Sequence, residues 1–293
     1  MQTIPAKTIV TRTKSSTWFG ADYTMNIYRG CSHGCIYCDS RSSCYQVDDF
    51  DTVKAKENAL QIIRDDLKRK IKSGVVATGA MSDPYNPLEA DYRLTRHALE
   101  LINAYRFGVA ITTKSPLVTR DTDVLSDIKV HSPVLVKITI TTADDSLARR
   151  LEPRAAASGS RFQALSGLAE AGLFAGVLMM PLLPYINDTA DNVLAIVRQA
   201  KESGARFVYP SFGLTLRANQ RLYYFDQLDR LFPGLKEIYQ QHFGYKYSCL
   251  SPHTRKLWPL FQAECERFGL LYKMNDIIWH YKLNYTDRQP TLF

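Results

Sequence analysis

Six near-continuous apolar runs constrain the fold of this chain more than any other feature of its sequence. They are residues 25–28, "VVATGAMSDPYNP" from Val75, "FGVAITTKSP" from Phe107, "PVLVKITITT" from Pro133, "AGVLMMPLLP" from Ala175 and "RFVYPS" from Arg206. Each reads as a strand bounded by turn residues. Between them lie segments with helical spacing. "VKAKENALQIIRDDLKRKIKSG" places Leu60, Ile63, Leu67 and Ile71 on one face, with Gly74 as a C-cap. Residues 93–105 align Leu94, Ala98, Leu101 and Ile102, 119–128 is a short helix, and 161–171 is closed by Gly172. A further helix, capped by Asp188 or Asp191, runs to Ser203 with Val193, Val197 and Ala200 inward. Strand and helix thus alternate six times between residues 25 and 212. Runs that are apolar throughout indicate a parallel sheet buried on both faces. The pattern fits a closed barrel, a partial barrel and an open doubly wound sheet alike.

The first run leads into "NIYRGCSHGCIYCDSRSSCYQ", which holds four of the chain's six cysteines. Cys31, Cys35 and Cys38 form C-x3-C-x2-C on a loop after a strand. Thiolates this close can converge on one metal centre. Iron–sulfur clusters are usually held by four cysteines. Three ligands on a four-iron cluster leave one iron open to a substrate or cofactor. The competing reading is zinc, with His33 or Cys44 as the fourth ligand. Structural zinc sites usually bring two ligand pairs from separate segments, and this chain has no second C-x2-C. Gly30 and Gly34 suit a loop that bends tightly around such a centre. Cys249 and Cys265 lie far away and read as buried small hydrophobes.

With 45% hydrophobic and 23% charged residues, a sizeable core is expected and global disorder is not. The net charge of +8 leans toward anionic partners. The first residues lack an apolar run of signal-peptide length, and no segment approaches the ~20 apolar residues that span a bilayer. A cytoplasmic protein with reduced thiols and no membrane contact is expected. From residue 216 the strand pattern stops and helical patterns follow. This tail carries 16 of the 33 aromatics, with 11 Lys and Arg against 7 acidic residues. It reads as a helical cap, or as a surface that stacks bases and neutralises phosphates.

The motif "YRGCSHGCIYCDSRS" resembles the radical S-adenosylmethionine (SAM) superfamily, in the branch related to spore photoproduct lyase and labelled "DNA repair photolyase". "ATGAMSDPYNPLE", "ITTKSPLVTRDTDVL", "RLEPRAAASGSRFQALSGLAEAG" and "GVLMMPLLPYIND" resemble later blocks of that branch, in order. The resemblance implies an α/β fold, a partial (β/α)6 TIM-type barrel with its site at the strands' C-terminal ends. It divides the chain into an N-terminal segment, 1–24, a barrel, 25–215, and a helical, aromatic-rich extension, 216–293. It implies a [4Fe-4S] cluster on Cys31, Cys35 and Cys38, with SAM on the open iron. One electron from an external donor splits SAM to a 5′-deoxyadenosyl radical. Ser82 and Asp83 match the cofactor's amino contact, and Lys114 its carboxylate contact. Thr139 and Thr141 match ribose contacts. Glu152 and Arg154, charged residues of the next connection, are candidates to bind the cofactor or to pair with each other. Tyr37 matches an aromatic near adenine, and Met179 with Pro181 an apolar wall.

The chain departs from spore photoproduct lyase at two places. That enzyme has a hydrogen-donating cysteine just before its strand-two polar residue, where this chain has Ala80 and Met81. Asp39 stands where it has tyrosine. Cys44 is a candidate replacement donor. The expected function is base modification or repair in nucleic acid. Alternatives are a peptide or metabolite substrate, and a non-catalytic zinc or iron–sulfur module. The ending "QPTLF" resembles peptides that dock on the bacterial sliding clamp, with Gln289, Leu292 and Phe293 as anchors.

Overall fold

The computed structural model of the chain describes residues 2–70 and 72–285. Ile71 and the proposed clamp anchors Gln289, Leu292 and Phe293 lie outside the described residues. Seven strands form the main sheet: β1 (Val10–Arg12), β2 (Tyr23–Met25), β3 (Val75–Thr78), β4 (Gly108–Thr113), β5 (Val134–Thr139), β6 (Ala175–Met179) and β7 (Val208–Pro210). They are ordered as they occur in the chain. β2 to β7 run parallel, and β1 adds antiparallel to the outer edge of β2. β1 and β7 are the sheet's two ends, so it is an arc rather than a closed barrel.

Helices α1 (Ala59–Lys68), α2 (Leu94–Ala104), α3 (Thr122–Lys129), α4 (Asp145–Leu151), α5 (Ser158–Glu170) and α6 (Ala190–Glu202) fill the connections. Each buries one stripe, as with Ala98, Leu99 and Ile102 of α2. The strands supply both partners of two layers. Val134, Val136 and Ile138 of β5 pack on the helices, while Leu135 faces the concave side with Phe19, Val75 and Phe207. This is why the strands read as continuous apolar runs.

Three local expectations are corrected. The first strand lies earlier than residues 25–28: β2 ends at Met25, and Tyr28–Arg29 leaves the barrel to pair with Lys54–Lys56. Asn26 is the one polar residue between Met25 and Tyr28, and a single asparagine does not mark the break in sequence. α1 ends at Lys68, well before Gly74, whose Cβ position is filled by the Asp22 side chain. The cap of α6 is Thr189, which accepts from the Asn192 N–H at 3.2 Å. Asp188 instead accepts from Ser251 Oγ at 2.5 Å.

The C-terminal residues close the arc at two levels. α7 (Ala218–Leu231) and α8 (Leu235–Phe243) bury Tyr224, Tyr239 and Phe243 against Ile36, Tyr37 and Leu183 at the mouth. α9 (Thr254–Phe268) packs Leu257, Phe261 and Cys265 into the outer layer. α10 (Met274–Lys282) sends Ile277 and Tyr281 into the concave face, where Tyr281 donates to Phe19 O at 2.6 Å. Cys249 and Cys265 are both fully buried. No helix of the described residues is long and apolar enough to cross a membrane.

Gly79 ends β3 at φ +95°, and a Cβ there would lie 1.9 Å from the Thr112 carbonyl oxygen. Gly79→Ala combines a strained backbone with a clash against β4. It is expected to cost about 3 kcal/mol, read as a lowered urea midpoint.

Candidate active site

Parallel strands deliver their C-terminal ends to one rim, and the chemistry-bearing side chains collect there. A cavity open to solvent is lined by Cys31, His33, Cys35, Cys38, Gly79, Ala80, Met81, Ser82, Asp83, Thr112, Lys114 and Thr139. The three cysteines come from the loop after β2, Ser82 and Asp83 from the loop after β3, Lys114 from the end of β4 and Thr139 from the end of β5.

The cysteine loop is held from both sides. Gly30, at φ +79°, passes so close to residues 50–52 that a Cβ would lie 2.3 Å from Thr52 O. Cys31 N–H donates to Phe50 O at 2.8 Å. On the far side Ile36 N–H donates to Leu151 O at 2.9 Å and Arg154 N–H to His33 O at 3.0 Å. Ser82 Oγ gives its only proton to Gly30 O, which leaves its lone pairs facing the cavity. Asp83 is a junction. Its Oδ1 accepts from Tyr85 N–H at 2.9 Å and Thr113 Oγ1 at 2.6 Å, and its Oδ2 from Lys114 N–H at 2.8 Å. His33 Nδ1 lies 3.5 Å from Oδ2.

Behind the loop lies a buried charged group. Glu152 accepts from the Tyr37 hydroxyl and ion-pairs with Arg161 at 2.5 Å. Arg161 also donates to Thr139 O at 2.9 Å and Ala156 O at 2.8 Å. Burial would raise the Glu152 carboxyl, but Arg161 and Lys114 overcome it and hold the group below its ordinary value. Burial would likewise lower Lys114, yet Cys35 and Glu152 more than reverse this. The Cys31 and Cys35 thiols are both raised, first by burial, with Asp83 adding to the effect on Cys31.

The sequence-predicted residues divide accordingly. Cys31, Cys35, Cys38, Ser82, Asp83, Lys114 and Thr139 share the cavity. Tyr37 and Glu152 sit behind it, bonded to each other. Thr141 is buried two residues past the end of β5, outside the cavity lining, with no partner for its hydroxyl among the described residues. Arg154 lies on the outer side of the loop, bonded to Ser32 O and Asp51. Met179 packs into the helix layer rather than the cavity, while Met180 packs against the concave cluster. Cys44 is exposed and outside the cavity lining. Sequence reasoning missed Arg161, whose spacing marks it only as a helix residue. It also missed Gln220, which donates to Tyr37 O at 3.1 Å.

The donor set bears on the metal. Among the described residues no three of His, Cys, Asp and Glu converge on one point as a single ion requires. The three thiols instead border a shared space, which suits a cube that would take one thiolate on each of three irons and leave the fourth open.

Residues 25–198 match the radical SAM superfamily. The chain belongs to that family. An uncharacterized protein of Methanocaldococcus jannaschii is 32% identical over 78% of this chain and 83% of its own length. One of Mycobacterium tuberculosis is 31% identical over 75% of this chain. The match spans 66% of that relative's length. Among solved structures, spore photoproduct lyase with a dinucleoside spore photoproduct shares the fold at TM-score 0.65 and 14% identity, over 89% of this chain and 77% of that one. The radical SAM methyltransferase TsrM of Kitasatospora setae, with tryptophan and a SAM analogue, does so at TM-score 0.56 and 13% identity, over 90% of this chain and 59% of that one. The family's cofactors, a [4Fe-4S] cluster and SAM, are those the donor set accommodates.

Arg161→Met leaves Glu152 buried beside Lys114 alone. It is expected to cost about 3–5 kcal/mol, with much of the loss recovered by adding Glu152→Gln, as a double-mutant cycle in urea reads out. Because the folded carboxyl is depressed, the pair's contribution is full above the ordinary glutamate range and is lost as pH falls from that range through the lower folded value.

Proposed function

We propose that this protein is a radical SAM enzyme that modifies or repairs a nucleic-acid base. The observation that carries the chemistry is one cavity shared by three cysteines, Lys114 and Ser82. When bound, the cluster supplies the electron, taken from an external donor, that splits SAM to a 5′-deoxyadenosyl radical able to take hydrogen from a substrate. The chain's residues bind and orient. Lys114 is the cation for the methionyl carboxylate. Ser82, its proton committed to Gly30 O, accepts from the amino group. Asp83 fixes the backbone of Lys114 and so aims it. Thr139 offers a hydroxyl to the ribose. The cap of α7 and α8 shields the site from water.

The nucleic-acid reading is supported by the rim. Arg217 lies 5.1 Å from the Tyr247 ring and 5.8 Å from the Tyr45 ring, and its Nε lies 3.2 Å from Asp39, the residue after Cys38. Tyr245 and Tyr247 are 97% and 51% exposed, with Lys246 between them. Rings and cations interleaved at a mouth suit unpaired bases and their phosphates. The spore photoproduct lyase structures hold a dinucleoside photoproduct, which favours the same substrate class. That enzyme's lesion-splitting step is not carried over, because Ala80 lines the cavity here.

Anaerobic protein is expected to carry ~4 irons per chain and Cys35→Ala far fewer. Lys114→Met should keep its iron and weaken SAM binding about tenfold or more. Incubation with reductant, SAM and DNA or RNA should yield 5′-deoxyadenosine and an altered nucleoside by mass spectrometry. Formation of 5′-deoxyadenosine without any altered nucleoside sinks the substrate assignment. Arg217→Ala should weaken single-strand binding and reduce the log–log salt slope by about one.

A further inference from the structure

The three cysteines are not held by the same part of the chain. Phe50 O fixes Cys31, and residues 151–154 fix His33 and Ile36 on either side of Cys35, all within connections of the barrel. Cys38 differs. Its N–H reaches Cys35 O at 3.3 Å and its carbonyl accepts from Arg41 N–H at 3.3 Å, both inside the loop. Two short 3-10 turns follow it, Asp39–Arg41 and Ser43–Tyr45. Among the described residues, the backbone of 37–43 bonds beyond its own loop only to the first turn of α7.

Two side chains of that turn make these bonds, one on each side of Cys38. Gln220 is fully buried. Its Oε1 accepts from Arg217 N–H at 2.8 Å, and its Nε2 donates to Tyr37 O at 3.1 Å, the carbonyl directly before Cys38. Asn219 Nδ2 donates to Arg41 O at 3.1 Å, while its Oδ1 accepts from Ser43 N–H at 2.8 Å. One amide thus satisfies a carbonyl and an N–H two residues apart, as a residue of an adjoining parallel strand does. Side chains extend the grip. Asp39 Oδ1 accepts from Thr215 Oγ1 at 3.3 Å and from Arg217 Nε at 3.2 Å. The Arg41 guanidinium lies 4.1 Å from the centre of the Tyr223 ring.

The bonds to Tyr37, Arg41 and Ser43 do nothing for the helix. Its cap uses Gln220 Oε1 alone, and at the exposed position of Asn219 alanine is the better helix former. We propose that Gln220 and Asn219 are positioning residues for the third cluster ligand. They fix the backbone on both sides of Cys38, so the aim of that thiolate depends on the C-terminal extension as well as on the barrel. The extension then has a part in holding the cluster, beyond shielding the mouth. This assignment rests on the cluster and not on the nucleic-acid reading.

The test uses full-length protein, reconstituted anaerobically, with release of its iron to a chelator timed. Loss of a group that orients metal ligands weakens retention about tenfold or more. Asn219→Ala should therefore release iron about tenfold faster than the wild type, although it favours the helix and should not lower the urea midpoint of the iron-free chain. It should also shift the EPR signal of the reduced cluster. Gln220→Met should do both as well, and Asn219→Gln, which keeps an amide, should recover part of the difference. Tyr224→Phe is the control: it breaks the 3.0 Å bond to the Tyr239 hydroxyl elsewhere in the cap and should release iron as the wild type does. If Gln220→Met does not fold, Asn219→Ala decides. Wild-type release and an unshifted signal in Asn219→Ala overturn the assignment, as does equal acceleration in Tyr224→Phe. Wild-type protein that takes up no iron overturns it together with the cluster.

Discussion

The buried ion pair of Arg161 and Glu152 is the interaction on which the mouth depends. Arg161 joins three parts of the structure: the end of β5 through Thr139 O, the α4–α5 connection through Ala156 O, and the cysteine loop through Glu152 and Tyr37. A buried ion costs several kcal/mol unless its hydrogen bonds are met. Here the guanidinium donates to two carbonyls and one carboxylate oxygen accepts from a phenol, while Arg161 Nη2 and Glu152 Oε2 meet as an ion pair at 2.5 Å without hydrogen-bond geometry, so Coulomb attraction carries that contact. The segment this pair fixes, residues 151–154, supplies the backbone groups that hold Ile36 and His33. The thiols therefore sit on a loop pinned at the back by a charged group and at the front by Asp83. Ligands placed by neutral contacts alone would have more freedom to turn away.

The same charges set the electrostatics of the cavity. Burial raises the Cys31 and Cys35 thiols. Binding a cluster on them would release their protons, with the irons supplying the positive charge that the thiolates lack. Glu152 is already committed to Arg161 and Tyr37, and Asp83 to backbone and hydroxyl donors. Lys114 is the cation left facing the cavity with no carboxylate bonded to it, which is what an anionic end of a cofactor needs.

How much of this was legible in the sequence follows from the range of each signal. The six strands were readable because burial on two faces leaves a continuous apolar run, and the ligand loop because three cysteines stand within eight residues. Lys114 and Ser82 were readable because each directly follows a strand, and parallel strands bring such positions together. Thr141 falls past the end of β5 at Thr139, where strand alternation no longer places it. Met179, the last residue of β6, and Met180 after it pack in opposite layers, and nothing local says which. Arg161 and Gln220 act on residues far away in the chain, through contacts made only after folding. Ala80 and Met81 were visible as departures, and their place in the cavity gives those departures their meaning.

The C-terminal residues matter because six parallel strands do not close. An arc leaves an exposed edge on β7 and an open floor, both of which need cover. Leu271 bonds to the edge strand on both sides, donating to Arg206 O and accepting from Val208 N–H. α10 then fills the floor, where Phe19, Phe207 and Ile277 are fully buried and Tyr281 nearly so.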